Sequence, residues 1–307
     1  MKFIIWGYPL HSHTHSYIHD SFKKTLDYLD HEVYWFDDSN YPDDFDYDNC
    51  VFITEGYADK NIPLRKTSTY FVHVCINPEK YLGKVKKLID IRYHQKSMDN
   101  DNYEYVLDEE SCEELDCGVL YNPKESKKYG YEVIYIAWAT NLLPHEIIDE
   151  WVNIERENVY YFIGSISNDG RFANASMIQE FAECCDKIGV KFGWSNPWQS
   201  PLDDDIMMDY MQRSFLSPDL RNETHKKWGL KSCRIFKSIS YGQLGLTNSS
   251  LLAEFAGPEV IFKENITELF EEGLKYKDDK KLILRQMDYV RKNHTYLNRV
   301  NGMLKLL

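Results

Sequence analysis

Long apolar runs are missing. No stretch of the 307 residues comes near the roughly 20 apolar residues that cross a bilayer, so no membrane span is expected. The opening MKFIIWGYPLHSH has too short an apolar run, and the wrong flanks, for an export signal, so a cytoplasmic location is expected. Cys-x-x-Cys is absent. The seven cysteines are scattered and odd in number, which reads as reduced thiols rather than a disulfide framework. His-Glu-x-x-His is absent, and no Asp-x-Asp pair ends a strand-like run. Asp203-Asp204-Asp205 follows Pro201 at a helix start, where acids cap. Basic residues are also scarce: 36 Lys and Arg face 49 Asp and Glu, a net charge of −13. Phosphate backbones call for a basic surface, so nucleic acid is not expected as a partner. A small anion can still bind where a few Arg and Lys converge.

Otherwise the composition is globular, 43% hydrophobic and 28% charged. Short apolar runs alternate with helical patterns. KFIIWG (2–7), HEVYWF (31–36), NCVFITEG (49–56), TYFVHVCI (69–76), KKLIDIRYH (86–94) and YEVIYIAWA (131–139) read as strands. Residues 15–29 space Ile18, Phe22, Leu26 and Leu29 on one helical face. Between 96 and 118 only YEYVL reads as a strand. After Pro144 the pattern restarts. NVYYFIGS (158–165), VKFGWS (190–195), SFLSPDL (214–220), LGLTN (244–248) and PEVIFK read as strands, and residues 174–189 and 232–242 as helices. Such alternation means parallel α/β sheets. The expectation is two doubly wound, Rossmann-like domains facing across a cleft: 1–143, 144–285, and a final segment, 286–307, crossing back to the first. Ligands in such sheets bind at the carboxyl ends of the strands.

The densest chemistry lies in KSCRIFKSISYGQLGLTN (231–248). A helix beginning near Ser232 presents free N–H groups, and Arg234 and Lys237, three apart, share a face; together they suit a diphosphate. GSISNDGR (164–171) also joins a strand to a helix, with Gly164, Ser165 and Arg171 able to approach an anion. The chain ends on RKNHTYLNRVNGMLKLL. Gly164-Ser165 with Arg171, Arg234-Ile-Phe236-Lys237 with Gly242, and His294-Thr295-Tyr296 with Arg299 together resemble the nucleotide-sugar half of GT-B-fold glycosyltransferases. The group resembled is that of the spore-maturation-protein-like, group 1 enzymes, over residues 158–307. The resemblance implies transfer of a sugar from a nucleotide diphosphate sugar to an acceptor hydroxyl, expected on a glycan, with no metal and no other cofactor. Thr247 and Asn248 are candidates for ribose or sugar hydroxyls, or for turn chemistry. Lys237 stands where the family has Glu, and a Lys cannot accept hydrogen bonds from hydroxyls.

HSHTHSYIH (11–19) places four histidines in nine positions after the first strand. Three readings stand. His15 and His19, four apart, with His11 or His13, can hold zinc. Ser12, Thr14 or Ser16 can cap the following helix. His13 or His15 can serve as the base that takes the acceptor proton, with Glu55, at the end of FITEG, as the rival. His73, inside an apolar strand, reads as a satisfied core histidine. The expected function is therefore glycosyl transfer, with Arg171, Arg234 and Lys237 on the diphosphate. A non-catalytic nucleotide- or glycan-binding protein and a metal-dependent hydrolase are the alternatives.

Overall fold

The structure, a computed structural model, describes residues 1–93, 96–99, 102–197 and 199–307. The elements run β1 (Lys2–Trp6), α1 (Thr14–Tyr28), β2 (Glu32–Phe36), β3 (Cys50–Glu55), β4 (Thr69–His73), β5 (Lys87–Arg92), β6 (Lys96–Asp99) and β7 (Asn102–Val106). Next come β8 (Glu113–Asp116), β9 (Val119–Tyr121), α2 (Pro123–Tyr129), β10 (Glu132–Ile136), β11 (Val159–Ile163), α3 (Ala175–Asp186) and β12 (Lys191–Ser195). The rest is mainly helical: α4 (Asp204–Arg213), α5 (Glu223–Trp228), α6 (Cys233–Ser240), β13 (Leu246–Thr247), α7 (Ser250–Ala256), β14 (Ile261–Phe262), α8 (Ile266–Tyr276), α9 (Lys280–Asn293) and α10 (Tyr296–Leu304). His94, the last residue of the KKLIDIRYH run, lies outside the described residues.

Two compact units result. Met1–Gln95, Tyr105–Trp138 and Tyr296–Leu307 make the first; Lys96–Glu104 and Ala139–Thr295 make the second. The first is built on an eight-stranded sheet ordered β2-β1-β3-β4-β5-β10-β9-β8. Strands β2 to β10 in that order pair in parallel, and β9 and β8 extend the sheet antiparallel. β3 and β4 are buried at every position, which is why they read as unbroken apolar runs. Against one face lies α1, where Phe22 touches His73 of β4 and Tyr296 of α10, at ring separations of 5.9 and 5.2 Å. The other face is covered by loops and by α2, whose Glu125 accepts from Arg92 of β5 at 2.7 Å and from the Tyr135 hydroxyl of β10 at 2.9 Å. Tyr47, Ile62 and Tyr81 pack there on Trp6, Phe52 and Tyr70, and Phe52 stacks on Tyr70 at 4.4 Å. Burying each such side chain contributes about 1.5–3 kcal/mol.

The final helix is anchored by Arg299, fully buried, whose guanidinium donates to the backbone carbonyls of Cys117, Ala137 and Trp138. Gly118 makes room for it: a Cβ there would sit 2.5 Å from the Arg299 guanidinium carbon, and its φ of +74° suits glycine. The most specific stretch of the sequence resemblance, His294-Thr295-Tyr296 with Arg299, thus holds the fold together. His294 is likewise buried, between Phe236 and Phe255.

The second unit has two parallel strand pairs, β11–β12 and β13–β14, and a core that includes Phe181, Ile235, Phe236, Ile239, Leu246 and Leu269. SFLSPDL, expected as a strand, bends at Ser214 and Phe215 and joins its neighbours at separate points: Phe215 donates its N–H to the Val159 carbonyl at 2.8 Å, and Asp219 bridges to Thr247. Its serine hydroxyls find partners of their own: Ser214 donates to the Leu216 backbone carbonyl at 2.6 Å, and Ser217 bonds the Ser238 hydroxyl at 2.9 Å.

Candidate active site

In the first unit the parallel strands β1, β3, β4, β5 and β10 all end on the same edge of the sheet. Each delivers a side chain there. Gly7 and Tyr8 follow β1 and lead to α1, β3 ends on Glu55, β4 ends on His73, and Tyr93 and Trp138 follow β5 and β10. His13 caps α1, its Nδ1 accepting from the His15 N–H at 3.2 Å. This meets the capping need expected of Ser12, Thr14 or Ser16, with an imidazole in place of a hydroxyl. Tyr8 stacks on His13 at 4.2 Å.

Two residues on, His15 points back at the sheet and its Nδ1 is hydrogen-bonded to a Glu55 carboxylate oxygen, with both residues buried. Around His15 stand His13, Tyr93, His73 and Trp138, at ring separations of 5.1, 5.3, 5.8 and 6.2 Å. All three sequence candidates, His13, His15 and Glu55, therefore meet. Burial pushes the Glu55 carboxyl above its ordinary range, with His15 opposing. Burial, then the nearby His15, lowers His13.

His73 is not the satisfied core histidine it reads as in the sequence. It is 3% exposed, and its Nδ1 has no hydrogen-bond partner among the described residues. The second oxygen of Glu55 lacks one too. Burial holds His73 far below the usual imidazole range. The position was overlooked because a histidine in an apolar run looks internal; its place as the last residue of a buried parallel strand was the available signal.

In the second unit, Arg234 leaves the first turn of α6, reaches the Ile163 carbonyl and lies over the Phe162 ring at 4.5 Å. A Cβ on Gly164 would stand 2.6 Å from its Nη2, so glycine lets the guanidinium approach the end of β11. Burial lowers the Arg234 pKa and Asp219 opposes that shift. Arg171 is exposed and rests instead over Phe172 and Trp228, at 5.4 and 5.6 Å. Arg171 and Arg234 are thus committed to different aromatic surfaces. The exposed Ser165 offers its carbonyl to Asn174 at 2.9 Å.

Lys237, expected beside Arg234, reaches Met207 of α4, with Nζ 3.9 Å from Sδ. Thr247 is fully buried and accepts from the Ser249 N–H. Asn248 clamps the backbone of Arg221, accepting from its N–H at 2.6 Å and donating to its carbonyl at 3.0 Å. In this structure both serve the turn after β13.

Sequence reasoning missed Asp219. Fully buried, it is gripped by the Arg221 guanidinium and accepts from the Ile235 N–H, 3.1 Å away, in the first turn of α6. A carboxylate there already takes part of what a helix start offers an anion. Ser232 Oγ, buried at that same helix start, has no partner among the described residues.

No family model matches the sequence, and no curated protein matches it. Solved structures do. T4 phage BGT in complex with its UDP-glucose substrate superposes with a TM-score of 0.53 at 11% identity, over 100% of this chain and 99% of that one. An alpha-glucosyltransferase in complex with UDP gives 0.51 at 10% identity, over 97% and 96% of the two chains. An alpha-glucosyltransferase with UDP and a 13-mer DNA containing a HMU base gives 0.53 at 9% identity, over 100% and 99%. That last complex overturns the exclusion of nucleic acid drawn above from net charge. A protein of this architecture is seen with DNA bound, and what a phosphate backbone meets is local charge, not the total. Among the described residues no helix is long and apolar enough to cross a membrane. The two α/β units, the parallel sheet and these superpositions make the chain one of GT-B fold.

Proposed function

We propose that the protein transfers a sugar from a uridine diphosphate sugar to a hydroxyl carried on a base of DNA. The observation that carries this reading is the His15–Glu55 pair at the carboxyl edge of the first sheet, ringed by Tyr8, Tyr93 and Trp138. An imidazole held by a buried carboxylate is suited to take a proton from an acceptor hydroxyl. Aromatic faces suit a base drawn out of its stack. The acceptor oxygen gives its proton to the His15 imidazole and bonds to the anomeric carbon. The bond from that carbon to the diphosphate breaks, and the leaving nucleotide takes the electron pair. Glu55 balances the imidazolium. Arg234 and the free N–H groups of α6 supply the positive field for the diphosphate.

Two lines support DNA over the glycan acceptor expected from the sequence. One is the solved complex with DNA. The other is local charge: residues 60–87 hold seven Lys and Arg against one acid, Glu79, within a chain of net charge −13. Lys60 of that segment is exposed and follows the carboxyl end of β3, on the edge that carries Glu55; the exposed Lys66, Lys84 and Lys86 precede β4 and β5 at the other edge.

The test is incubation with sugar-labelled UDP-glucose and either duplex DNA bearing hydroxymethylated bases, unmodified DNA, or oligosaccharides. Label is expected in the hydroxymethylated DNA alone; label in none of them overturns the reading. The change Lys60→Ala, beyond the carboxyl end of β3, is expected to weaken DNA binding and to lower its log–log salt slope by roughly 0.9, one phosphate no longer being neutralised. A second reading, a non-catalytic nucleotide-binding protein, is favoured by Lys237, which cannot accept from donor hydroxyls and turns to Met207; UDP-sugar binding without turnover identifies it.

A further inference from the structure

We propose that His15, Glu55 and His73 form a binding site for a first-row divalent transition metal ion, zinc(II) being the best fit. One ligand atom from each residue lies within 4.8 Å of the other two, and all three residues are buried. Three ligands at tetrahedral zinc distances stand about 3.4 Å apart, so small side-chain rotations complete the set. Two imidazoles and one carboxylate suit zinc, cobalt and iron, and disfavour magnesium and calcium, which take oxygen ligands.

Unmet hydrogen-bonding capacity points to the same spot. The second Glu55 oxygen and the His73 Nδ1 are buried without partners among the described residues. A buried polar atom left unpaired is costly, and a coordinated cation removes that cost. His19 packs behind the site, its ring 5.5 Å from that of His73 and nearly parallel to it. The ligand atoms that lie within 4.8 Å of one another are those of His15, Glu55 and His73, so the zinc reading of the sequence, His15 and His19 with His11 or His13, is redrawn: His15 keeps its place and the partners come from β3 and β4. A metal ion at this point replaces the metal-free expectation that the family resemblance implied.

Ion and proton compete for the same lone pairs of His15 and Glu55. A bound ion therefore stops that imidazole from acting as the base, and metal binding is measured here without donor or acceptor. The site stands or falls independently of sugar transfer.

The experiment uses the full chain, free of any affinity tag, stripped with a chelator and titrated with cobalt(II). One ion per chain is expected, with the visible absorption of low-symmetry cobalt, lost on adding one equivalent of zinc(II). His73→Gln and Glu55→Gln should each weaken the affinity at least 10-fold. His31→Gln, elsewhere in the same unit, should leave it unchanged. Circular dichroism confirms which variants fold, and the wild-type titration stands whatever they do. Wild-type protein that takes up neither ion overturns the proposal, since the space then holds water. Affinity unchanged in a folded His73→Gln or Glu55→Gln variant also overturns it, since the ion then sits elsewhere.

Discussion

His15 and Glu55, forty residues apart in the chain, are hydrogen-bonded at the carboxyl edge of the first sheet, where both are buried. Glu55→Gln keeps the shape of the side chain and removes the charge that balances a protonated imidazole. Sugar transfer is expected to fall by about 10²–10⁴-fold, with kcat and kcat/KM lowered together and UDP-sugar affinity unchanged. Steady-state kinetics on metal-free protein measures this. A rate within threefold of wild type would remove the pair from the chemistry.

Arg234 makes the opposite split. It lies beside Gly164 in the second unit, at the start of α6. If Arg234 holds the diphosphate as proposed, Arg234→Ala removes a charge-assisted contact worth about 1.5–3 kcal/mol, and the donor KM rises roughly 10- to 100-fold. Titration of UDP by calorimetry checks the same loss without turnover. Unchanged UDP affinity would move the diphosphate away from α6.

Arg299 is a matter of stability. Burial pulls its guanidinium down to about 10, and its donors meet three backbone carbonyls. Arg299→Met leaves those carbonyls unpaired at roughly 1 kcal/mol or more each, a loss of about 3 kcal/mol. Urea denaturation followed by fluorescence measures it. A cost below 1 kcal/mol would mean that water replaces the side chain.

His225 gives a pH dependence. In the folded protein burial, then the Arg221 charge, lowers its imidazole to about 4, with Asp219 opposing. Unfolded, it titrates near 6.5. Between these values the unfolded chain binds a proton that the folded one refuses. Stability from this group is therefore full above pH about 6.5 and is lost as pH falls toward 4. His225→Gln should flatten the fall in denaturation midpoint between pH 7 and pH 5; curves that stay parallel would show that His225 plays no part.

What could be read beforehand follows burial. β1, β3, β4, β5 and β10 showed as apolar runs because a parallel strand covered on both faces has no polar side. Since such strands end together, His13, His15 and Glu55 could be placed at one edge before any coordinates. β8 and β9 could not be found. β8 carries Glu113, Glu114 and Asp116 at the solvated rim of the sheet, and nothing in that composition distinguishes a strand from a loop. SFLSPDL misled because Phe215 and Leu216 are apolar for the sake of the core, not of a ladder. Lys237 misled differently. Spacing of three does place it near Arg234 on α6, but which way a long side chain turns depends on what packs there, and Met207 does. Asp219 and Arg221, two apart, share a side of an extended chain, but nothing in the sequence marks them as a pair rather than as separate solvated charges, and only the fold shows that they bond.

The position of α10 bears on how the protein is made. Tyr296, Arg299 and Val300 are buried in the unit that begins at residue 1. A nascent chain carrying the whole first sheet still lacks the piece that covers Phe22 and pins the exit of β10. Translation must run through the second unit before that piece emerges. Until then apolar surface over α1 stays open, and a chaperone that shelters it during synthesis should raise the yield more than one added after release.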